Sequence, residues 1–245
     1  MRPDAHPVSV ALITGASRGL GRTLAQFLSA EGYELILTAR GRADLDETTR
    51  SLRTGGPRIE AVGGDVTDPD HRTLLARLVQ DRGRLDLLIN NASDLGPTPL
   101  PELARYPLPE LRRVLEVNLL APIALVQALL PWLEAAQGRV LNISSDAALG
   151  GYPGWGGYGA SKAALDLVSR TLAEELKDRH VGVISVDPGD MRTAMHQAAF
   201  PGQDISDRPL PEATVPFWAW LLHQDAPSIT GRRFRAQSDR WEIPA

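Results

Sequence analysis

The 245-residue sequence is 43% apolar and 23% charged, the composition of one soluble globular domain of ordinary size. A net charge of −4, with both signs spread along the chain, argues against a nucleic-acid surface or an anionic-membrane binder, since both need a basic patch. The absence of cysteine excludes disulfides, thiolate metal sites and a cysteine nucleophile, and the histidines show no metal-ligand spacing, so no metal is expected.

The sequence gives no indication of a membrane segment. The opening residues, MRPDAHP, contain no apolar signal region. The longest apolar stretch, 119–133, contains Pro122 and Pro131 and is too short to span a bilayer. We therefore expect a cytoplasmic protein whose partners are small neutral or polar molecules.

Short apolar runs rich in β-forming residues alternate with helical patterns along the chain. The predicted strands cover residues 8–13, 33–39, 58–63, 85–89, 139–144, 181–186 and 231–236. The predicted helices cover residues 19–31, 43–54, 69–82, 109–136, 157–179 and 211–224. This alternation predicts an α/β fold in a single domain over 1–245: a doubly wound parallel sheet of about seven strands with helices on both faces. Ligands of such folds bind beyond the carboxyl ends of the strands, so the residues that follow each strand matter most for function.

A glycine-rich turn, TGASRGLG, follows the first predicted strand at residues 14–21. Its glycines allow the backbone to turn tightly into a helix and to approach a pyrophosphate, whose charge then lies at the helix N-terminus. An ordinary strand-to-helix turn is the alternative, but the position in the first βα turn favours a dinucleotide. The predicted cofactor residues in this turn are Gly15, Ser17, Arg18, Gly19, Leu20 and Gly21.

The same turn also matches the nucleophile elbow of serine hydrolases, in the pattern Gly15-x-Ser17-x-Gly19. In that alternative Ser17 is the nucleophile and a later histidine is its base. An elbow needs an oxyanion-hole donor from the loop of an earlier strand, and only about seven residues precede this strand. The sequence therefore favours the dinucleotide over the hydrolase.

The second predicted strand ends at Thr38-Ala39-Arg40, where an NAD site would place an acidic residue on the ribose 2′-hydroxyl. No acid stands there. Arg40 and Arg18 instead offer two guanidinium groups, each able to bind a 2′-phosphate through paired hydrogen bonds. A single surface arginine would carry little weight in this arginine-rich chain, but the pair predicts NADP(H) as the cofactor.

Small and polar residues follow the third and fourth predicted strands. Asp65, which precedes Val66, can accept a hydrogen bond from the adenine amino group, or can instead cap the helix that begins near Asp68. Asn91 and Ala92 place an amide and a small side chain close to the expected ribose. These residues complete the predicted contacts to the cofactor on this side.

The fifth predicted strand is followed by Ser145, and then by Tyr158 and Lys162, four residues apart on a predicted helix. Residues at that spacing share a helix face, so the ammonium group can lie close to the phenol. A free phenol has a pKa near ~10, and a nearby positive charge lowers it by about 1 to 3 units, which makes tyrosine usable as a general acid or base. A lysine on an ordinary amphipathic helix is the alternative. Lysines occur only at positions 162 and 177 among 26 basic residues, and this scarcity favours a functional pair.

Taken in chain order, these motifs resemble those of the short-chain dehydrogenase/reductase family. The matching segments are TGASRGLG (14–21), GDV (64–66), NNA (90–92), Asn118, ISS (143–145), YGASK (158–162) and PGDMRT (188–193). The resemblance covers nearly the whole chain. It implies a Rossmann-type domain that moves hydride between a nicotinamide and a carbonyl or alcohol carbon. The two arginines also resemble the NADPH-preferring subset of the family.

The resemblance further implies roles for individual residues. Tyr158 is expected to give or take the proton, Ser145 to hydrogen-bond the reacting oxygen, and Lys162 to hold the nicotinamide ribose and lower the tyrosine pKa. Asn118 resembles the helix position that holds a relay water through its backbone carbonyl. The segment that contacts the nicotinamide carboxamide is expected to contribute Pro188, Gly189, Met191 and Thr193.

Pro122 gives the Asn118 position a physical basis. It lies four residues after Asn118 in a long predicted helix and lacks the N–H that would bond the Asn118 carbonyl. That acceptor is left free for a water molecule. A simple packing kink is the alternative.

Some segments depart from the family pattern. Ser93 stands where the family commonly has the glycine of NNAG. The segment ITGRRFRAQSDRWEIPA stands in place of the frequent V-D-G-G ending, a region that often builds oligomer contacts, so we expect a homodimer more firmly than a homotetramer. Residues 190–210 are expected to form a mobile substrate lid.

Apolar and aromatic residues lie near the predicted catalytic tyrosine. The predicted substrate residues are Ser145, Tyr152, Trp155, Tyr158 and Met195, with Met191 and Phe200 also in or beside the lid. They predict an apolar or aromatic pocket for a small carbonyl or alcohol, and packing in the core or an interface is the alternative.

A dinucleotide-sensing binding protein on the same fold is the alternative function. Such a protein would keep the glycine turn. It would not need a serine, a tyrosine and a lysine together after the fifth strand. The sequence therefore favours an enzyme.

Overall fold

The computed structural model describes residues 8–52 and 56–243, and within them seven parallel strands form one sheet. The strands are β1 (Val10–Thr14), β2 (Glu34–Ala39), β3 (Ile59–Gly63), β4 (Leu87–Asn90), β5 (Arg139–Ile143), β6 (Gly182–Asp187) and β7 (Arg233–Arg235). Their order across the sheet is β3-β2-β1-β4-β5-β6-β7, so the chain winds outward on one side of β1 and then on the other. This confirms the predicted doubly wound parallel sheet.

The helices connect these strands and cover both faces of the sheet. They are α1 (Gly19–Ala30), α2 (Arg42–Ser51), α3 (Pro69–Gln80), α4 (Leu108–Leu115), α5 (Ala121–Ala136), α6 (Gly156–Glu175), α7 (Ala194–Ala199), α8 (Val215–Leu222) and α9 (Ala226–Ile229). Alternate residues of β1 enter opposite cores because successive side chains of a strand point to opposite faces. Ala11 and Ile13 pack with α1, α2 and α8, whereas Val10 and Leu12 pack with α3, α5 and α6.

Several boundaries differ from the sequence prediction for local reasons. The predicted helix 43–54 ends at Ser51, and positions 53 and 54 lie outside the described residues. The predicted helix 211–224 opens with a 3-10 turn, Pro211–Thr214, and becomes α-helical at Val215. Pro216 has no N–H to donate to the carbonyl four residues earlier, so it belongs in a first helical turn. The predicted lid contains α7, a short helix that the sequence pattern does not reveal.

The long predicted helix over 109–136 contains a π turn. Residues Glu116–Leu120 form this turn between α4 and α5, and the Ala121 N–H donates to the Glu116 carbonyl, five residues back. Pro122 follows directly and cannot donate to the Asn118 carbonyl, so the regular i to i−4 ladder is interrupted here. The relay water expected at that carbonyl remains a prediction.

The run Leu108–Ala136 is long and apolar enough to cross a membrane, judged by length and composition alone. Within the fold it covers one face of the sheet, and Leu125, Leu129 and Leu133 pack into the core with α3 and β5. The length of this helical run exceeds the apolar stretch that the sequence analysis considered, because α4 and the π turn extend it. Packing on the sheet accounts for its apolar side.

Candidate active site

One large cleft of about 1400 Å³ opens at the carboxyl ends of the strands and joins nearly all of the predicted site residues. It is lined by the turn after β1, the ends of β2 to β6, the start of α6 and the segment that carries α7. Among the predicted residues, Gly21 and Asn118 do not line it. Both instead support residues that do.

The glycine turn is shaped by close backbone contacts. Gly15 has φ +66°, and a Cβ there would lie 2.8 Å from the Asn91 Nδ2 atom. A Cβ on Gly21 would lie 2.2 Å from the Gly15 carbonyl oxygen, a distance that no side chain can occupy. The turn therefore requires glycine at both positions, and the backbone between them, at the N-terminus of α1, faces the cleft.

Asn91 holds this turn in place from β4. Its side-chain amide donates to the carbonyls of Thr14 at 2.9 Å and of Gly15 at 3.1 Å. The Thr14 hydroxyl in turn accepts from the backbone N–H groups of Asn91 and Ala92. Asn91 was predicted to bind the cofactor, and its described contacts show that its amide shapes the glycine turn.

Ser17 offers little support for the hydrolase alternative. Among the described residues no hydrogen bond joins its hydroxyl to a histidine, and the Ser17 carbonyl accepts from the Thr48 hydroxyl at 2.9 Å. His71, for comparison, bonds the Thr38 hydroxyl at 2.7 Å inside the sheet region. A nucleophilic serine needs an adjacent base, and the described structure supplies none.

Two exposed arginines, Arg18 and Arg40, line the nucleotide end of the cleft as the sequence predicts. The Arg40 guanidinium lies 4.0 Å from the Asp94 carboxylate, which also accepts a 3.1 Å hydrogen bond from Arg113. Arg40 is 53% exposed on its side chain, so its link to Asp94 is weak and can be exchanged for a stronger anion. A phosphate dianion is such a partner.

Asp65 stabilises the turn after β3. Its Oδ1 atom accepts from the backbone N–H of Thr67 at 3.0 Å and from the Thr67 hydroxyl at 2.9 Å. Burial acts to raise the pKa of Asp65, but these hydrogen bonds and the charges of Arg40 and Arg113 lower it below its usual value. The cap of α3 is Asp68, which accepts from the Asp70 N–H at 2.9 Å, so the alternative that Asp65 caps this helix was wrong.

The tyrosine and lysine of the predicted pair are both buried on α6. Tyr158 is 9% exposed and Lys162 is 1% exposed. The Lys162 Nζ atom donates to the Ile143 carbonyl at 2.7 Å and lies 5.5 Å from the centre of the Tyr158 ring. The ammonium group is therefore fixed between the end of β5 and the phenol.

Burial shifts the pKa values of the pair in opposite directions. It raises the pKa of Tyr158 to about 12, with further upward effects from the carboxylates of Asp187 and Asp146, whereas the hydroxyls of Ser93 and Ser145 lower it. Burial lowers the pKa of Lys162 to about 8, against the raising effect of Asp166. The sequence analysis expected a lowered tyrosine pKa, and the burial of the phenol produces the opposite direction.

Ser145 follows β5 and reaches the cleft beside Tyr158. Its hydroxyl donates to Asp146 Oδ1 at 3.0 Å and accepts from the Ala147 N–H at 3.2 Å. Its backbone carbonyl accepts from the Arg233 guanidinium at 2.8 Å. The position of Ser145 thus depends on a residue of β7.

Arg233 is a supporting residue that the sequence analysis missed. Besides the Ser145 carbonyl, its guanidinium bonds the nearly buried carboxylates of Asp166 at 3.0 Å and Asp187 at 3.2 Å. Asp166 lies one turn after Lys162 on α6, so a single side chain links β6, α6 and the turn after β5. An arginine in an otherwise apolar strand pattern is the only sequence signal for this contact.

Asn118 uses its whole side chain to hold neighbouring segments. Its Oδ1 atom accepts from the Asp94 N–H at 2.7 Å and from the Ser93 hydroxyl at 3.1 Å. Its Nδ2 atom donates to the Asp94 carbonyl and to the Ser161 hydroxyl, both at 2.9 Å. The side chain is therefore structural here, which leaves the backbone carbonyl for the expected water.

The segment after β6 lines the cleft with Pro188, Gly189, Met191 and Thr193. Gln237 fixes it by donating to the carbonyls of Pro188 at 3.0 Å and Asp190 at 2.8 Å. The Arg192 N–H donates to the Pro209 carbonyl at 2.8 Å, which brings the two ends of the predicted lid together. Residues 190–210 therefore form a loop with a closed base that carries α7.

Aromatic rings line the substrate end of the cleft. The Trp155 ring meets the Tyr158 ring edge-on at a centroid distance of 5.8 Å and lies 6.0 Å from the Phe200 ring of the predicted lid. Met195 packs against the same apolar cluster, whereas Tyr152 is exposed at the rim. In the part of the chain that the structure describes, no group of three metal-ligating side chains converges here or elsewhere.

Comparisons with known proteins agree with this geometry. The sequence model of the family described as short chain dehydrogenase matches residues 9–204. The chain is 32% identical over 238 residues to the uncharacterized oxidoreductase YciK of Escherichia coli K12, covering 94% of this chain and 92% of that protein. It is 34% identical over 188 residues to a benzil reductase ((S)-benzoin forming) of Bacillus subtilis, covering 75% of each. A solved structure from Shigella flexneri 2a, complexed with NADP, superposes with a TM-score of 0.85 at 32% identity, covering 94% of this chain and 97% of that one.

Proposed function

The chain belongs to the short chain dehydrogenase family, and on that basis we propose that it transfers hydride between NADP(H) and the carbonyl or secondary alcohol carbon of a small molecule. The observation that carries the proposal is the convergence of Ser145, Tyr158 and Lys162 on one cleft that also holds the glycine turn. A protein that only senses a dinucleotide needs the turn but not a buried tyrosine and lysine beside a serine.

NADP(H) fits the nucleotide end of the cleft. The missing side chains of Gly15 and Gly21 leave backbone where a pyrophosphate can approach, and Arg18 and Arg40 supply positive charge for a 2′-phosphate. The related structure complexed with NADP supports the same choice. When bound, the cofactor supplies or accepts the hydride.

The protein's own groups manage the proton. In reduction, the Tyr158 hydroxyl gives its proton to the carbonyl oxygen, and Ser145 donates a hydrogen bond to that same oxygen. The Ser145 hydroxyl must first turn away from Asp146 Oδ1, its acceptor at 3.0 Å. The Lys162 ammonium, 5.5 Å from the ring centre, then stabilises the negative charge left on the phenol. In oxidation the same groups act in reverse.

The substrate end favours an uncharged aryl or otherwise apolar carbonyl compound. Trp155 and Phe200 provide flat apolar surface next to Tyr158, suited to stacking with an aromatic ring. The Asp146 carboxylate beside Ser145 disfavours a substrate with a second anionic group near its carbonyl. The relationship to a benzil reductase, whose name denotes an aryl dicarbonyl, supports this choice.

We further propose that the protein forms a homodimer or homotetramer. Leu108, Leu120 and Leu167 are exposed leucines on α4, the π turn and α6, and apolar side chains of this size favour burial against another subunit. Light scattering after size-exclusion chromatography measures the assembly. A monomer at micromolar concentration would contradict this part of the proposal.

The function is tested with a panel of carbonyl compounds and NADPH, followed at the nicotinamide absorbance. The panel pairs aryl ketones and aryl diketones with alkyl ketones of matched size, and with the corresponding keto acids. We expect turnover of the aryl compounds with NADPH and weaker turnover of the alkyl and anionic ones. No turnover of any member, with tight NADPH binding retained, would favour the dinucleotide-sensing alternative.

A further inference from the structure

Ser93 lies where the chain leaves β4, and its side chain faces the cleft. It is half-buried and follows Asn91 and Ala92, in the position where the resembling family commonly has a glycine. Its hydroxyl donates to the Asn118 Oδ1 atom at 3.1 Å. The side chain therefore adds a polar group to the site that a glycine cannot supply.

A chain of hydrogen bonds fixes Ser93 relative to the turn of α6 that carries Tyr158. Asn118 accepts from Ser93 through Oδ1 and donates through Nδ2 to the Ser161 hydroxyl at 2.9 Å. The Ser161 hydroxyl donates to the Tyr158 carbonyl at 2.6 Å. Asn118 and Ser161 are each almost fully buried, so this connection is rigid.

The Ser93 hydroxyl also acts directly on the Tyr158 phenol. Two serine hydroxyls, from Ser93 after β4 and Ser145 after β5, hydrogen-bond the phenol and lower its pKa against the larger effect of burial. Ser145 is needed for the substrate oxygen in the proposed reaction. Ser93 is then the hydroxyl that remains with the tyrosine.

We propose that Ser93 is a catalytic residue whose hydroxyl turns from the Asn118 amide oxygen to the Tyr158 oxygen as the phenol gives up its proton. The proposal rests on the proposed function. The phenol O–H bond breaks and its proton passes to the substrate oxygen, while Ser93 keeps its own proton and only exchanges one acceptor for another. The phenolate oxygen so formed receives a hydrogen bond at the moment its charge develops.

The exchange of acceptors favours the charged state. A serine hydroxyl has one proton, and a charged acceptor binds it roughly twice as strongly as a neutral one. The Asn118 Oδ1 atom is not left without a donor, because it retains the Asp94 N–H at 2.7 Å. Ser93 therefore stabilises the phenolate at little cost to the buried amide.

Turnover kinetics of Ser93→Ala and Ser93→Thr separate this role from a purely structural one. The threonine keeps the hydroxyl, and Ser29→Ala serves as a control, since Ser29 is a buried serine of α1 outside the cleft. We expect Ser93→Ala to lower kcat roughly tenfold, the usual effect of one hydrogen bond to a charged group, with KM and NADPH affinity within about twofold. In alcohol oxidation the acid limb of its pH profile moves to higher pH, because the phenolate is less stabilised. Ser93→Thr and Ser29→Ala stay within about threefold of the parent.

Carbon-13 NMR tests the contact without turnover. The protein is labelled at the tyrosine Cζ atoms, and the Tyr158 resonance is identified by its loss in Tyr158→Phe. We expect Ser93→Ala to shift this resonance near neutral pH and Ser93→Thr to restore it. An unshifted resonance, or equal kinetic losses in the alanine and threonine variants, overturns the role of Ser93 while leaving the proposed function intact. A parent protein without carbonyl reduction overturns the proposed function and the catalytic role together, even where the resonance shifts.

Discussion

Backbone atoms form the wall at the nucleotide end of the cleft, whereas side chains form it at the substrate end. At the nucleotide end, an added Cβ at Gly15 or Gly21 would approach other atoms to 2.8 or 2.2 Å, so the turn tolerates almost no change. At the substrate end, Trp155 and Phe200 meet at a centroid distance of 6.0 Å on segments that share no hydrogen-bonded sheet. The difference indicates that the first end fixes one ligand, while the second can be altered by substituting single side chains.

Removing the Tyr158 hydroxyl should have the largest effect and should leave both ends of the cleft intact. We expect Tyr158→Phe to lower kcat by about 10²- to 10⁴-fold, the usual contribution of general acid–base catalysis, with NADPH affinity unchanged. Steady-state kinetics and a fluorescence titration with NADPH measure the two quantities. Tyr33→Phe is the control, because Tyr33 lies before β2 and does not line the cleft. Turnover within threefold of the parent would contradict the proposed mechanism.

Reversing the charge of Arg40 should affect the nucleotide end alone. Arg40→Asp replaces attraction to the 2′-phosphate by repulsion, next to the carboxylates of Asp65 and Asp94. We expect NADPH binding to weaken by about 2–3 kcal/mol, or roughly 30- to 150-fold in Kd, and the preference to shift toward NADH. Calorimetry with both cofactors measures this, and Arg77→Asp, on an exposed position of α3, controls for net charge. A parent that binds NADH as tightly as NADPH would refute the assignment of the arginines.

Lys162 lies where the two ends of the cleft meet, and Lys162→Arg tests whether positive charge alone suffices there. The buried site fits a compact ammonium that donates to the Ile143 carbonyl at 2.7 Å, and a planar guanidinium is larger and has fixed donor directions. We expect kcat to fall at least about tenfold.

The pH dependence of this variant has a defined direction. The pKa of Lys162 is lowered to about 8, so the ammonium is present below that pH and is lost as the pH rises through it. Ketone reduction by the parent should therefore decline above about pH 8. An arginine stays charged, so the alkaline decline of Lys162→Arg should move to higher pH. Profiles of kcat at saturating NADPH measure the shift, and identical profiles would show that the lysine does not set this limb.

Trp155→Ala should give the smallest effect and should be confined to the substrate end. The loss of aromatic surface beside Tyr158 and Phe200 should raise KM for aryl ketones roughly 5- to 10-fold, in line with about 1 kcal/mol for an aromatic contact. The KM of a small alkyl ketone and the Kd of NADPH should change less than twofold. Kinetics with the matched ketone pairs measure this selectivity. Equal losses for aryl and alkyl ketones would place Trp155 in a general packing role.

The sequence suffices to predict those parts of the site that depend on consecutive residues. The glycine turn lies within one eight-residue segment, and Tyr158 and Lys162 share one helix face, so short-range geometry brings each set together. The strand pattern likewise predicts the sheet, because each strand's apolar run is local. The families of contacts that hold these pieces relative to one another are not local.

The remaining features depend on contacts between distant segments. The Arg233 contact to the Ser145 carbonyl spans 88 residues, and the Ser93 contact to Asn118 spans 25. The tyrosine pKa was expected to fall because the sequence shows the nearby lysine, but not how deeply the phenol is buried. Burial is a property of the whole fold, and for this residue it has the larger effect.

The reach of Arg233 has a consequence for the order in which the site matures during synthesis. A ribosome adding about 5–20 residues per second needs roughly 4 to 18 seconds to travel the 88 residues from Ser145 to Arg233. Throughout that interval the nascent chain already contains Asp166 and Asp187 without the guanidinium that bonds both of them. The catalytic serine, tyrosine and lysine are thus all translated before the group that neutralises the acids beside them, and the site reaches its final electrostatic state only when β7 joins the sheet.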